Sequence, residues 1–367
     1  MKIPLVDVAA QYSALRHEIE PIVLKVLESG NYILGEELEN FEKEFAQFCE
    51  TRFAVGVNSG TSALHLSLLA AGVGPGDEVI TVPFTFVASV ASILYTGARP
   101  VFVDINPDTC LMDVNQVEQK ISSKTKAIIP VHLYGHPVDL RPLLTFAEKK
   151  NIVVIEDAAQ AHGAIYEGCK VGSMGSLGCF SFYPSKNLGA AGEGGAITTN
   201  DETLYRKLRK LRNWGSEDRY HHEFVAYNNR LENIQAAILR IKLRHLKDWN
   251  IQRAQIAAEY DSAFQKANVR LLPKSEKSQP VHHIYPIFSK NRNVLKSKLA
   301  EYGISTGIHY PVPIHQQDGY RFLNYKAGEF PGSELAAAET LSIPIYPELT
   351  SEKRNYVIES VLNSLNG

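Results

Sequence analysis

Apolar residues recur three and four positions apart from Leu15 to Leu27 and again from Glu37 to Phe48, which predicts two amphipathic helices leading into the core. Beyond them the period changes. Short β-branched runs at Phe53 to Val57, Glu78 to Val82, Pro100 to Ile105, Ala127 to Val131 and Ile152 to Ile155 alternate with helical patterns. That alternation predicts an α/β fold, a mainly parallel sheet covered by helices on both faces. The uncharged stretch from Val79 to Ala98 has the length of a membrane span, but Pro83, Gly97 and the Thr and Ser residues between them divide it into a strand, a turn and a helix starting near Thr85.

After the glycine-rich segment Gly189 to Gly195 come long helical patterns, Asp201 to Leu211 and Leu231 to Leu246, and the strand-like alternation stops. From about Asp248 the pattern predicts a smaller α/β unit: a helix over Ala254 to Phe264, a strand over Val281 to Phe288, a helix over Val294 to Tyr302 and a closing helix near Ser351 to Leu365. The expected division is a large domain over 1–247 and a small C-terminal domain over 248–367, packed across a shared cleft.

At 367 residues, with 44% hydrophobic and 21% charged side chains, the chain has room for two domains and no composition for a long disordered tail. Lys plus Arg at 38 against Asp plus Glu at 40 leaves a net charge of -2, so no electrostatic footprint points to nucleic acid or an anionic membrane. Cys49, Cys110, Cys169 and Cys179 are widely spread without a C-x-x-C pair, and Asp7, Gln11, Arg16 and His17 interrupt the N-terminal apolar residues. The expectation is a cytoplasmic protein with free thiols and no signal peptide.

Candidate chemistry concentrates in four segments. Ser181-Phe182-Tyr183-Pro184-Ser185-Lys186-Asn187-Leu188-Gly189 sets a lysine among turn residues and glycines, poorly suited to a solvated helix face. Such a lysine can condense with an aldehyde when its surroundings lower its pKa. At Ile155-Glu156-Asp157-Ala158-Ala159-Gln160 a core strand runs into a carboxylate, where open α/β sheets place ligands. Asp157 is placed to hold a pyridine nitrogen protonated, with the Gln160 amide one helical turn onward for the ring oxygen; as a plain helix cap Asp157 would need neither. Asn58-Ser59-Gly60-Thr61-Ser62 ends another strand in small hydroxyl residues before a helix, which makes an anion cradle or an ordinary capping turn. Phe86, near the start of the helix after Pro83, suits a stacking partner for a flat ring and equally a core position.

Together these segments, with Gly30-Asn31-Tyr32-Ile33-Leu34-Gly35, Tyr227-Asn228-Asn229-Arg230-Leu231 and Ile308-His309-Tyr310-Pro311, resemble the DegT/DnrJ family of nucleotide-sugar aminotransferases over nearly the whole chain. The resemblance implies a fold type I pyridoxal-phosphate transferase with a mainly parallel, seven-stranded type of central sheet. It implies pyridoxal 5'-phosphate as cofactor, Lys186 as the lysine that carries it and shuttles protons, and Asp157 and Gln160 as partners of the ring nitrogen and ring oxygen. Gly60, Thr61, Ser181 and Asn228 would surround the phosphate, and Phe86 would stack on the ring. Tyr32 and His309-Tyr310, polar aromatic clusters beside glycine or proline turns, are expected to meet the sugar. Amino transfer from an amino acid, L-glutamate by the same likeness, to a keto-sugar nucleotide is the implied reaction. Leu5-Val6-Asp7 with Gln11-Tyr12 resembles the opening of the subgroup acting on thymidine-linked 3-keto-6-deoxyhexoses. A homodimer with shared active sites follows from the same likeness, Asn228 reaching the neighbouring subunit on a loop that ranges away from its own cleft.

Lys186 stands where sugar-dehydrating relatives commonly carry histidine, which favours transamination. Ala226 replaces the glycine usual before Tyr227-Asn228. A dehydratase, a cyclitol aminotransferase and a non-catalytic sensor of the cofactor or of a sugar nucleotide remain as alternatives. No metal is expected: His132 and His136 are four apart, but Gly135 and Pro137 break the helix that would align them. His221-His222 and His282-His283 read as surface or packing residues, and His162 as either a core or a substrate-facing one.

Overall fold

The structure, a computed structural model, describes residues 1–216 and 220–366. Its first strands are β1 (Phe53–Val57), β2 (Glu78–Thr81), β3 (Arg99–Phe102), β4 (Thr125–Ile128) and β5 (Val153–Asp157). A small hairpin, β6 (Ile165–Tyr166) and β7 (Cys169–Lys170), precedes β8 (Leu177–Ser181) and β9 (Gly195–Thr199). Seven strands form one sheet in the order β1-β9-β8-β5-β4-β2-β3, in which β9 alone runs against its neighbours. The sequence pattern missed β8 and β9. Both are buried along most of their length and so lack the polar alternation of a half-exposed strand.

Helices α1 (Val8–Ser29) and α2 (Glu36–Cys49) lead in as expected, and α3 (Gly60–Ala70), α4 (Ala88–Tyr95), α5 (Val114–Lys120), α6 (Leu140–Lys150) and α7 (Glu202–Leu211) follow among the strands. Phe45 of α2 meets Phe180 and Phe182 edge-on at 5.1 and 5.3 Å, which locks the helix against the sheet beside the lysine segment. Helix α4 begins at Ala88, three residues later than the sequence suggests, because Pro83 to Val87 form a turn.

The largest departure is α8 (Asn233–Phe264), a single helix of 32 residues that passes straight through Asp248. The apolar period falters around Asp248 because Asp248 is exposed and polar side chains such as Lys242 and Arg253 take buried positions nearby. The structure satisfies them. The Asn250 amide donates to the carbonyl of His162, and Arg253 donates to the carbonyls of His282, His283 and Ile345. Its second half enters a separate core with Ile256, Ala257, Tyr260 and Phe264.

That second core is completed by β11 (Tyr285–Phe288) paired with β12 (Thr340–Ile343), and by α9 (Arg292–Glu301) and α11 (Ser351–Asn366). A short strand β10 (Ser278–Gln279) pairs with β6, and α10 (Pro331–Glu339) starts against Asp104, whose carboxylate accepts from the amides of Gly332 and Ser333. Ile3, at the opposite end of the chain, also joins this core through a bridge to Ile304. Among the described residues no helix is long and apolar enough to cross a membrane.

A buried ion pair ties β1 to its surroundings. Glu42 and Arg212 pair directly, Glu42 accepts the Gly56 amide at 2.7 Å, and Arg212 donates to the Gly56 carbonyl at 2.8 Å. Removing one partner strands the other charge in the core. Arg212→Met is expected to lower the unfolding free energy by about 3–5 kcal/mol, read from urea titration, whereas Glu42→Leu with Arg212→Met together should lose clearly less.

Candidate active site

Parallel strands bring their carboxyl ends to one edge of a sheet, and the crevice there is where an open α/β fold can hold a ligand. Here β1 ends in Ser59-Gly60-Thr61, β4 leads to His132, β5 ends in Asp157, and β8 ends in Ser181, five residues before Lys186. The cleft they make has a volume of about 550 Å³ and includes Gly60, Thr61, Phe86, Asp157, Gln160, Ser181, Lys186, His309 and Tyr310 in its lining. The fold therefore gathers nine of the expected residues from segments scattered along the chain.

The anion cradle is built at the start of α3. Ser59 caps the helix by accepting the Ser62 amide at 3.0 Å, and the Ala63 amide donates to the Ser59 carbonyl. The first two amides, on Gly60 and Thr61, have no acceptor within the helix and sit at the cleft edge. Gly60 must be glycine for packing reasons: a Cβ there would lie 2.6 Å from Cβ of Ser181. That closeness is what lets the helix end approach Ser181.

Asp157 is buried, and its two oxygens are spoken for. One accepts the Ser89 hydroxyl at 2.7 Å and the other the Ala159 amide at 3.2 Å. The Ser89 hydroxyl in turn meets that of Thr85, in the turn before α4, at 2.9 Å. Burial still pushes the Asp157 carboxyl above the ordinary carboxylate range, against the opposing pull of Ser89, the Ala159 amide and Lys186. The segment after Asp157 is a set of turns, not the expected helix, so Gln160 reaches the cleft through a tight bend.

Gln160 is oriented from both ends: its Oε1 accepts the Tyr134 amide at 2.6 Å, and its Nε2 donates to the Tyr310 hydroxyl at 3.0 Å. Tyr134 holds that position with a positive φ of 60° and donates its hydroxyl to the His309 carbonyl. Beneath lies Glu156, which accepts the amides of Gly172, Met174 and Gly175 and faces Nε2 of His132 at 3.1 Å. His132 thus sits inside this network, bonded to Glu156, while His136 does not line the cleft. His162 is fully buried against Phe180 and Phe182 and does not line the cleft.

Lys186 is partly buried, and loss of hydration lowers its amine to about 8, with Asp157 pulling the other way. Phe86 is 54% exposed, an unusual state for a phenylalanine in a lined cleft and one suited to covering a flat ring. Sequence reasoning missed Ser89, His132, His283 and Tyr134. Only Ser89 carried a signal, its spacing of four from Thr85.

Two expected residues lie outside the cleft of their own chain. Asn228 is exposed and bridges Asn213, while its neighbours stay close to β1, the Asn58 amide donating to the Asn229 carbonyl at 3.2 Å. The segment is therefore anchored beside the anion cradle, in contrast to a loop that ranges away. Ala226 adopts no left-handed φ, so alanine fits there. Tyr32 is half-exposed, and its hydroxyl donates to the Leu27 carbonyl.

Residues 13–362 match the DegT/DnrJ/EryC1/StrS aminotransferase family. A dTDP-3-amino-3,4,6-trideoxy-alpha-D-glucose transaminase of Streptomyces venezuelae is 45% identical over 361 residues, spanning 98% of this chain and 95% of that protein. A protein of Geobacillus stearothermophilus named pleiotropic regulatory protein is 44% identical over 364 residues, 98% of each chain. The crystal structure of S. venezuelae DesV in complex with a ketimine intermediate superposes with a TM-score of 0.98 at 44% identity, covering 100% of this chain and 99% of that one.

The charge balance in the cleft has a titratable consequence. An amine with its pKa lowered to about 8 is neutral above that pH, so covalent modification of Lys186 by a small aldehyde should rise through about pH 8 and not through the ordinary lysine range. In Asp157→Asn the stabilising charge is gone and the midpoint should move to lower pH. Peptide mass mapping of the modified lysine against pH measures both.

Proposed function

The chain belongs to the DegT/DnrJ/EryC1/StrS aminotransferase family, and from that premise we propose that it moves an amino group from an amino acid, L-glutamate in this reading, onto a keto-sugar nucleotide. Pyridoxal phosphate is the cofactor. The observation that carries the reading is that a lysine with a depressed pKa, a buried carboxylate and a pair of free helix-end amides share one cleft.

Those residues fit the group. Gly60 and Thr61 amides with the Ser181 side chain suit a phosphate. Asp157, strained by burial, is relieved by a protonated ring nitrogen beside it. Gln160 keeps a second Nε2 hydrogen beyond the one given to Tyr310, available to a ring oxygen. When bound, the cofactor supplies an electron sink for the carbanion formed at the substrate carbon. Lys186 would carry the cofactor, and its amine, once free, would be the base at the reacting carbon. It would hold the substrate proton there and later give it back, so a single residue would both anchor and catalyse. Asp157 holds a proton on the ring nitrogen, and Phe86 covers the ring face. His309 and Tyr310 face the side where the sugar enters.

The sugar preference is for a thymidine-linked 3-keto-6-deoxyhexose, supported by the opening Leu5-Val6-Asp7 and by the 3-amino deoxysugar in the name of the Streptomyces relative. The Geobacillus name raises a regulatory role, but a reactive lysine held beside a buried carboxylate has no use in passive sensing. A large domain over 1–247 and a small one over 248–367 remain our division of the chain, with α8 as the shared spine. Four unpaired cysteines agree with a cytoplasmic setting.

The working unit in this reading is a homodimer with shared sites. Asn228 and Tyr32 both lie outside their own cleft, and they travel together, since the Asn233 amide donates to the Tyr32 carbonyl and Ile33 bridges Glu232. Nearby, Tyr220 is 88% and Val225 98% exposed, an apolar surface that a second subunit would cover.

Incubation with L-glutamate and a panel of keto-sugar nucleotides, read by mass spectrometry, should show amination of a 3-keto-6-deoxyhexose faster than of a 4-keto isomer. Amination of none would remove the reading. For the shared site, Lys186→Ala subunits are mixed with impaired Asn228→Ala subunits. Action in trans leaves one intact site in each heterodimer, so activity should rise above either parent. Confirmed mixing without recovery would place Asn228 in its own chain's site.

A further inference from the structure

Asn187 follows Lys186 and is only 2% exposed, and its amide is fully engaged. Nδ2 donates to Asn250 Oδ1 and to the Val281 carbonyl, both at 2.9 Å, while Oδ1 lies 3.2 Å from Nδ1 of His283. A backbone carbonyl can only accept, so the Val281 contact fixes which way the amide points. An amide oxygen also only accepts, so Nδ1 of His283 carries the proton and donates it. In a neutral imidazole that leaves Nε2 as a bare acceptor. No bond from a described residue occupies it.

His283 lines the same cleft as Lys186. The other two histidines there differ. Nε2 of His132 is taken by Glu156 and its Nδ1 by the Val138 amide, and Nδ1 of His309 meets the Ser342 hydroxyl, which can donate or accept and so fixes no tautomer. Only His283 combines a fixed tautomer with a free acceptor.

We propose that His283 is a positioning residue for the amino transfer, its Nε2 accepting a hydrogen bond from the ammonium that the released Lys186 becomes once it holds the substrate proton. This rests on Lys186 being the cofactor-bearing lysine of the proposed function. The contact is a hydrogen bond without proton transfer. Burial holds the imidazole pKa well below its usual value, and Lys186, Arg253, His162 and His309 around it push the same way, so the proton stays on Lys186. A long, flexible side chain that must return a proton to a neighbouring atom gains from one fixed acceptor, because fewer rotamers compete with the reactive one.

Two readouts test this in the holoenzyme. With 15N-labelled histidine, the resonances that vanish in His283→Gln should belong to a neutral ring protonated at Nδ1, unchanged between about pH 6 and about pH 9 given its depressed pKa. In stopped-flow measurement of the half-reaction with L-glutamate, His283→Leu should keep the Lys186-dependent visible band yet convert about 10- to 100-fold more slowly, the loss expected for a hydrogen bond to a charged group. Its KM for glutamate should hardly move. His283→Gln, whose amide oxygen reaches the place of Nε2, should recover most of the rate. A ring protonated at Nε2, a His283→Leu enzyme as fast as wild type, equal loss in both variants, or loss of the band in both would each overturn the proposal. A wild-type enzyme without a Lys186-dependent band would instead refute the reading beneath it.

Discussion

Burial acts on Lys186 and Asp157 in opposite directions, lowering the amine to about 8 and raising the carboxyl, and the cleft is organised around those two effects. Each group alone would be an expensive thing to desolvate. Together they hold a reactive amine and a carboxylate that gains from a cationic partner, which is what a protonated pyridine ring provides. The remaining features of the site keep this arrangement fixed. Ser89 and the Ala159 amide keep Asp157 hydrogen-bonded, and Asn187 ties the lysine segment to α8 and to the Val281–His283 wall.

That wall explains why two hydrophobic cores act on one site. Helix α8 belongs to both, packing near α1 and α2 in its first half and inside the C-terminal core in its second. Asn250 and Arg253 sit at its middle and spend their donors on the carbonyls of His162, His282, His283 and Ile345. Polar groups buried at a junction are stable only when paired. Here the pairing holds His283 at a cleft whose floor comes from the sheet.

The chemistry was legible in the sequence because it sits at strand ends, where a run of apolar residues stops at Asp157 or at Asn58-Ser59-Gly60. Nine of the residues expected from those ends and from the family resemblance line one cleft. Less legible was anything set by tertiary partners. Strands β8 and β9 carry no alternation because both faces are covered, and α8 read as two helices because its buried polar residues find partners distant in sequence. His283 gave no signal, since its tautomer depends on Asn187, 96 residues away. The bend at Asp157 replaced an expected helix for a similar reason: Tyr134 and Tyr310 hold Gln160 where a helical turn would otherwise have to.

Lys242 is the natural competitor for the role given to Lys186. It is buried, its pKa is also lowered to about 8, and its amine donates to the Gly189 carbonyl at 2.8 Å. Lys186 lines the cleft with Asp157, whereas Lys242 faces an apolar recess beside α1. The direct test is borohydride reduction of the enzyme loaded with pyridoxal phosphate, followed by proteolysis and mass mapping of the lysine that retains the cofactor. The account predicts the cofactor mass on the peptide containing Lys186 and none on that containing Lys242. Label on Lys242, or on no lysine, would contradict it.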